Sequence, residues 1–311
     1  MKLVSLLPSA TEILVQLGLE ESLVGVSHEC DYPMSVKFLP NLTSTRINPS
    51  SSSPDIHKSV LEVMKNSVSV YDLDLELLKS LNPDFIVTQD LCDVCAVSFS
   101  QVEEACQEIV GAKIISLRPQ KLGDIWNDVQ NVADQLGISQ RGEEFREEVD
   151  SRVNAVKNRL NGKATHTPKV LTIEWLDPIY VGGMWLPEMI DIAGGEVCIA
   201  ECGKPAPVVD REVLEKISPD VVVVKPCGYK LEQTLNEMDL LKKQIPWQDW
   251  ETKYNTRFYL VDGNSYFNRP GPRILDSLEI LAHCTHPNLF PEFGEQYADG
   301  LIKLEPGLNL P

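Results

Sequence analysis

The feature that most constrains the fold is a helix–turn–strand unit that occurs twice at a constant offset. The first copy is DLELLKSLNPDFIV at residues 74–87, and the second is DREVLEKISPDVVV at residues 210–223. Each copy has an Asp at its start, a Glu two residues later, a Pro-Asp turn and a buried strand. A unit that recurs once, far away, predicts two similar α/β lobes, because solenoids stack three or more short repeats. The alternative is that a common joint between helix and strand arose twice by chance.

The repeat also locates candidate ligand loops. Residues 89–95 follow the first repeated strand and residues 225–229 follow the second. Ligands of open α/β sheets bind beyond the carboxyl ends of the strands. The sequence therefore predicts two Rossmann-like lobes with a ligand cleft between them.

Composition excludes several classes of function. With a net charge of −18, nucleic acid is excluded as a partner, because such binding needs Lys and Arg against phosphates. No stretch reaches the roughly 18 apolar residues of a membrane span, so membrane insertion is not expected. As written, the chain predicts a cytoplasmic location, or a periplasmic one if a leader was removed. The eight cysteines fit reduced thiols.

Local patterns complete the predicted organisation. After a strand at residues 2–7, Ser9 and Glu12 have capping-box spacing, so Ser9 is either an N-cap or part of an anion-accepting helix terminus. Apolar residues recur every three or four positions in 142–162, which predicts one long connecting helix. The expected organisation is a first lobe at 1–138, a connecting helix at 139–163, a second lobe at 164–290 and an irregular tail at 291–311.

In the first lobe, reactive side chains follow the predicted second strand. A turn there needs only Asp31 and Pro33, so His28, Glu29 and Cys30 indicate a site, and Tyr32 lies beside them. The next candidate, Arg46, lies in a Ser/Pro-rich loop at 41–55, which is either a cleft rim or a mobile surface segment.

A C-x-x-C at Cys92 and Cys95 raises a metal alternative. With His28 and Cys30 it would supply four zinc-type ligands. A cytoplasmic metal- or thiol-dependent protein or enzyme on the same scaffold is thus the second hypothesis. The plainer alternative is that the two thiols of the C-x-x-C are simply packed in a loop.

The second lobe offers aromatic and charged groups at strand ends. Glu174, Trp175, Tyr180 and Trp185 form one group, although Trp185 is equally well explained by packing under a hairpin. Further along the chain, Tyr266 and Phe267 suit stacking on a planar ligand, and Arg269 suits a carboxylate or phosphate unless it holds the loop's carbonyls. No Walker, GxSxG, GxGxxG or HExxH motif is present, which favours binding over catalysis.

These segments resemble a known family, the iron-siderophore/cobalamin class of ABC-transporter solute-binding proteins, close to its cobalamin-binding branch. The matching segments are VSLLPSATEIL, VGVSHECDYP, SLNPDFIV, DPIYVGG with IAGG, SPDVVVV and FNRPGPRILDSLEILA. The resemblance implies two lobes joined by one long helix, a ligand clamped between them, and a permease partner that Glu76 and Glu212 contact.

The chain departs from the cobalamin binders it resembles. They place aromatic side chains at four positions that differ here: Glu29, Arg46, Glu174 and Ala206. This change suits a more polar ligand or a metal complex. We therefore expect a non-enzymatic binding protein for a small ligand, with cobalamin or a related metal complex as the family default. The expected ligand-binding residues are Ser9, His28, Glu29, Cys30, Tyr32, Arg46, Gln89, Cys92, Cys95, Glu174, Trp175, Tyr180, Trp185, Tyr266, Phe267 and Arg269.

Overall fold

A computed structural model describes residues 1–65, 69–90, 97–107, 109 and 111–305. The chain divides into two compact units. The first unit contains Met1–Ser51, Asp55–Pro119 and Gly123–Glu148, and the second contains Ser52–Pro54, Gln120–Leu122 and the chain from Val149 onward.

The first unit is built on a four-stranded parallel sheet with the order β2-β1-β5-β6, beside a two-stranded antiparallel ribbon of β3 and β4. Its strands are β1 (Leu3–Ser5), β2 (Leu23–Val26), β3 (Thr43–Thr45), β4 (Tyr71–Leu73), β5 (Phe85–Gln89) and β6 (Lys113–Leu117). Its helices are α1 (Pro8–Gln16), α2 (Ser53–Lys65), α3 (Leu75–Leu81), α4 (Phe99–Gln107), α5 (Leu122–Gln135) and the first half of α6 (Ser139–Leu160). Val4 and Ile86 from the sheet pack with Val102 of α4 in one buried cluster.

The second unit has a sheet with the order β12-β11-β10-β7-β8, and β9 also pairs with β7. Its strands are β7 (Lys169–Leu176), β8 (Ile179–Val181), β9 (Glu196–Val197), β10 (Val221–Val224), β11 (Arg257–Val261) and β12 (Leu301–Leu304). Its helices, after the second half of α6, are α7 (Leu186–Ile192), α8 (Arg211–Leu214), α9 (Leu231–Asn236), α10 (Met238–Gln244), α11 (Trp247–Lys253), α12 (Ile274–Thr285) and α13 (Pro291–Gln296). Strands β7, β9, β10 and β11 are parallel, whereas β8 and β12 run antiparallel to their neighbours.

The repeated sequence forms the same junction in both units. In the first, Asp84 Oδ2 accepts a hydrogen bond from the backbone N–H of Lys2 at 2.7 Å. In the second, Asp220 Oδ2 accepts one from the backbone N–H of Lys169, also at 2.7 Å. Each Asp thereby fixes the repeated strand beside the first strand of its unit, β5 beside β1 and β10 beside β7. The prediction of two similar α/β lobes is confirmed.

The long helix is also confirmed. It spans Ser139–Leu160, and the chain passes along it from the first unit to the second. Phe145, Val149 and Val156 on its apolar face are buried. The expected domain limits remain predictions.

Three local expectations are wrong. Ser9 is not an N-cap, because α1 begins at Pro8 and its N-cap residue is Leu7. Residues 41–55 are not simply a loop, because they contain β3, which pairs with β4. Residues 291–305 are not an irregular tail: they contain α13 and then β12, which pairs with the edge strand β11.

Candidate functional site

In the first unit, polar residues collect where β2, β1 and β5 end. These strands are adjacent and parallel, so their carboxyl ends lie on one edge of the sheet. His28 follows β2, Ser9 lies in the first turn of α1 after β1, and Gln89 ends β5. Three of the predicted site residues of this unit therefore come from neighbouring strand ends.

The imidazole of His28 is oriented by a hydroxyl pair. Its Nδ1 lies 2.7 Å from Thr43 Oγ1, which donates to Ser27 Oγ at 2.9 Å, so Nδ1 carries the proton in that bond. Within the described part of the chain, the buried Nε2 makes no hydrogen bond. It lies 3.5 Å from Glu29 Oε1. An imidazole held through one nitrogen, with the other available, is the arrangement of metal-ligating histidines.

The thiol of Cys30 is part of the packing around α1. Its side chain is 4% exposed, and its Sγ lies 3.0 Å from Thr11 Oγ1. Ser9 is also buried, and among the described residues its Oγ has no hydrogen-bond partner.

The predicted four-ligand metal site gains no support. Cys92 and Cys95 lie outside the described residues. Among the residues that are described, no three His, Cys, Asp or Glu side chains are grouped so as to hold a metal ion.

Arg46 is engaged in the β3–β4 ribbon. Its Nε donates to Asp72 Oδ2 at 2.8 Å, and its second nitrogen contacts the other carboxylate oxygen. This hydrogen-bonded pairing lowers the pKa of Asp72 and raises the pKa of Arg46. Arg46 therefore links two paired strands. Tyr32, by contrast, is half exposed.

In the second unit, a buried ion pair lies at the carboxyl ends of β7, β10 and β11. Lys225 is fully buried directly after β10, and its Nζ donates to Glu174 Oε2 on β7 at 2.7 Å. The same Nζ donates to Asn268 Oδ1, after β11, at 2.9 Å. Since the three strands are adjacent and parallel, the sheet brings these three side chains together.

A close backbone approach supports this cluster. Asn268 Nδ2 donates to the carbonyl oxygens of Lys225 and Gly263, at 3.2 and 2.8 Å. A Cβ at Gly263 would lie 1.9 Å from the carbonyl oxygen of Pro226, so only glycine fits where these two strand-end loops meet.

Neither Lys225 nor Asn268 is among the predicted site residues, although Lys225 begins the candidate ligand loop at 225–229. The available signal was modest: Lys225 is a charged residue directly after the apolar run VVVV, at the repeat position that corresponds to Gln89.

The aromatic residues of the second unit divide into two groups. Phe267 is not a stacking surface for a ligand, because it is 1% exposed and lies in the core. It has a left-handed backbone, φ +69°, held by a hydrogen bond from its N–H to Ser277 Oγ and one to its carbonyl from Trp185 Nε1. Trp185 is likewise buried, which agrees with the packing alternative. Trp175 differs: within the described chain, its buried Nε1 has no hydrogen-bond partner, and its ring packs edge-on against Tyr229.

The remaining predicted residues have structural contacts as well. Arg269 is 8% exposed and donates to Asn264 Oδ1 at 2.9 Å, in its own loop. The ring of Tyr266 packs edge-on against Tyr297, and Tyr180 lies half-buried on β8. Glu76 and Glu212 are exposed in the first turns of α3 and α8, one in each unit.

Two α/β units that carry polar groups at their strand ends and are linked by one helix are typical of a class of ligand-binding proteins. The family model described as periplasmic binding protein matches residues 3–264. This chain belongs to that family, whose members are solute-binding proteins rather than enzymes. The predicted binding function is thereby confirmed, and the enzyme alternative finds no support.

Individual relatives extend the match over nearly the whole chain. An uncharacterized ABC transporter substrate-binding lipoprotein of Bacillus subtilis, YvrC, is 23% identical, over 94% of this chain and 82% of its own. A vitamin B12-binding protein of Vibrio vulnificus is 22% identical, over 92% and 89%.

Solved structures of similar proteins also match over nearly the whole chain. A periplasmic heme-binding protein of Roseiflexus in its apo form superposes with a TM-score of 0.68 at 25% identity, covering 93% of this chain and 98% of its own. A periplasmic vitamin B12-binding protein of Vibrio cholerae gives a TM-score of 0.62 at 19% identity, over 95% and 98%. The expected cytoplasmic location finds no support, since these relatives are described as periplasmic or as a lipoprotein. None of the helices in the described part of the chain has the length and apolar character that crossing a bilayer requires.

Proposed function

We propose that this protein binds a metal-bearing macrocycle, a corrinoid or a heme, outside the cytoplasmic membrane and passes it to an ABC permease. Family membership supplies the binding role. The named ligands of two similar proteins, vitamin B12 and heme, are both tetrapyrrole-type metal complexes.

The observation that carries the choice of ligand class is His28. Its Nδ1 is fixed by Thr43, and its buried Nε2 makes no hydrogen bond within the described chain. Such a nitrogen suits the metal of a bound complex. Residues from both units would contact the ligand: Ser9, His28, Glu29, Tyr32 and Gln89 from the first, and Glu174, Trp175, Tyr180, Tyr266 and Arg269 from the second. Glu76 and Glu212 would contact the permease.

An absorption titration tests this proposal. Hemin and hydroxocobalamin are each added to the purified protein and to a His28→Ala variant. We expect one of the two to bind with a shift of its visible bands, and the shift to be altered or lost in His28→Ala. His57→Ala, on helix α2, is the matched control. Binding of neither compound to the wild-type protein contradicts the proposed function.

A further inference from the structure

In the second unit, Glu174, Lys225 and Asn268 form a cluster at the strand ends. This cluster presents one kind of group to a ligand, a carboxylate oxygen. Lys225 is fully buried, and its ammonium is already held by Glu174 and Asn268. Both amide hydrogens of Asn268 are donated to carbonyl oxygens, and its Oδ1 accepts from Lys225. The side chain of Glu174 remains partly exposed, at 24%.

Only one oxygen of the Glu174 carboxylate is used. Lys225 Nζ binds Oε2, and within the described part of the chain Oε1 has no hydrogen-bond donor. The hydrogen bond from the buried ammonium fixes the orientation of the carboxylate. Lys225 is thus a positioning residue, and Glu174 Oε1 is an oriented, negatively charged acceptor.

Such an acceptor discriminates between ligands by the charge of their side chains. A ligand side chain that ends in N–H or O–H can donate to Oε1, whereas a carboxylate at the same place is repelled and leaves the acceptor unpaired. Arg269, which follows Asn268 in the sequence, is 8% exposed and donates to Asn264 in its own loop.

We propose that Glu174, held by Lys225, selects a macrocycle whose side chains end in amides and disfavours one whose side chains end in carboxylates. This inference rests on the proposed function and refines it: it favours an amide-bearing corrinoid over heme, which carries propionates.

A pair of matched corrins tests the selection. Dicyanocobinamide has amide side chains, and dicyanocobyrinic acid has carboxylates on the same ring. Cyanide occupies both axial positions of the cobalt in each, so any metal contact of His28 is removed from the comparison. Hemin is the third probe, and affinities are measured by quenching of tryptophan fluorescence.

The wild-type protein should bind the amide form at least tenfold more tightly than the acid form. Glu174→Gln, which keeps the shape and loses the charge, should reduce that preference to about threefold or less. Glu196→Gln is the control, because it removes an exposed carboxylate at the amino end of the same sheet, where β9 pairs with Lys169 and Val170. It should leave the preference unchanged, and thermal unfolding checks that both variants fold.

The outcomes separate this inference from the proposed function. If the wild-type protein binds neither hydroxocobalamin nor hemin, the proposed function fails. If it binds a macrocycle without preferring amides, or if Glu174→Gln retains the preference, only the selection by Glu174 is overturned.

Discussion

At the residue scale, Asp128 on helix α5 shows how burial sets the charge of a carboxyl group. It is partly buried, and its Oδ2 accepts the backbone N–H of Arg118 at 3.1 Å. Desolvation outweighs that hydrogen bond, and the nearby Asp124 adds repulsion, so the pKa of Asp128 rises to about 6. The folded protein therefore binds this proton more tightly than the unfolded chain does.

We expect Asp128→Asn to remove a pH dependence of stability. Because the pKa is raised on folding, the contribution of Asp128 is most favourable below about pH 4 and is lost as the pH rises through 6. The variant should be more stable than the wild type at pH 7 by about 1 kcal/mol, an amount reduced for partial exposure. Urea unfolding at pH 4, 5, 6 and 7 measures the difference. An equal effect at every pH would contradict this explanation.

Trp175 gives a second prediction at this scale. Within the described chain its buried Nε1 lacks an acceptor, so Trp175→Phe should change the stability of the unliganded protein by less than about 1 kcal/mol. If Nε1 donates to the ligand, affinity should nevertheless fall about tenfold. Trp185→Phe is the contrast, because Trp185 Nε1 already donates to Phe267, and there the loss should appear in stability. A Trp175→Phe variant with unchanged affinity would remove Trp175 from the site.

The limits of sequence reasoning are clearest for individual side chains. Lys225 and Asn268 are ordinary residues in the sequence, and their pairing with Glu174 depends on three strands ending side by side. Phe267 has the aromatic character of a ligand-stacking residue, but its left-handed backbone turns the ring into the core. Neither outcome is encoded locally.

At the element scale, the repeated unit was the most reliable guide. Its Pro-Asp turn has a local physical role, because the Asp side chain binds the backbone at the start of the neighbouring strand in each unit. Strand β12, by contrast, is not predicted by the sequence because it lacks such a local signal. Its four residues are weak evidence alone, and they form a strand because β11 offers an unpaired edge.

The second half of α6 is anchored to α12 by a charged cluster. Arg152 Nε donates to Glu279 Oε1 at 2.8 Å, and its terminal nitrogen donates to Asp276 Oδ1 at 2.7 Å. Tyr297, just beyond α13, also contacts Asp276 and Glu279. Burial, together with these two carboxylates, raises the pKa of its hydroxyl. The segment expected to be irregular therefore completes this cluster.

We expect Arg152→Ala to destabilise the second unit by about 3 kcal/mol, because two partly buried carboxylates lose their cation. Lys157→Ala, an exposed substitution on the same helix, is the control and should have an effect below about 0.5 kcal/mol. Chemical denaturation followed by fluorescence measures both. Equal effects would show that the cluster contributes little.

At the scale of the whole molecule, Glu76 and Glu212 provide equivalent exposed charges on the two units. If they contact the permease, reversing both to lysine should abolish ligand uptake by cells that express the transporter, while ligand affinity stays within about twofold. Glu143→Lys with Glu232→Lys, which makes the same change of charge at other exposed positions, should preserve uptake. Normal uptake by the Glu76/Glu212 variant would contradict the docking role.

The central claim is that one macrocycle is bound by residues of both units. Isothermal titration calorimetry with the preferred corrinoid or heme tests it on the wild type, on His28→Ala from the first unit and on Trp175→Phe from the second. We predict one ligand per chain, a dissociation constant of about 1 μM or lower, and weaker binding in both variants. A stoichiometry of two, or a loss of affinity confined to one unit, would contradict the claim.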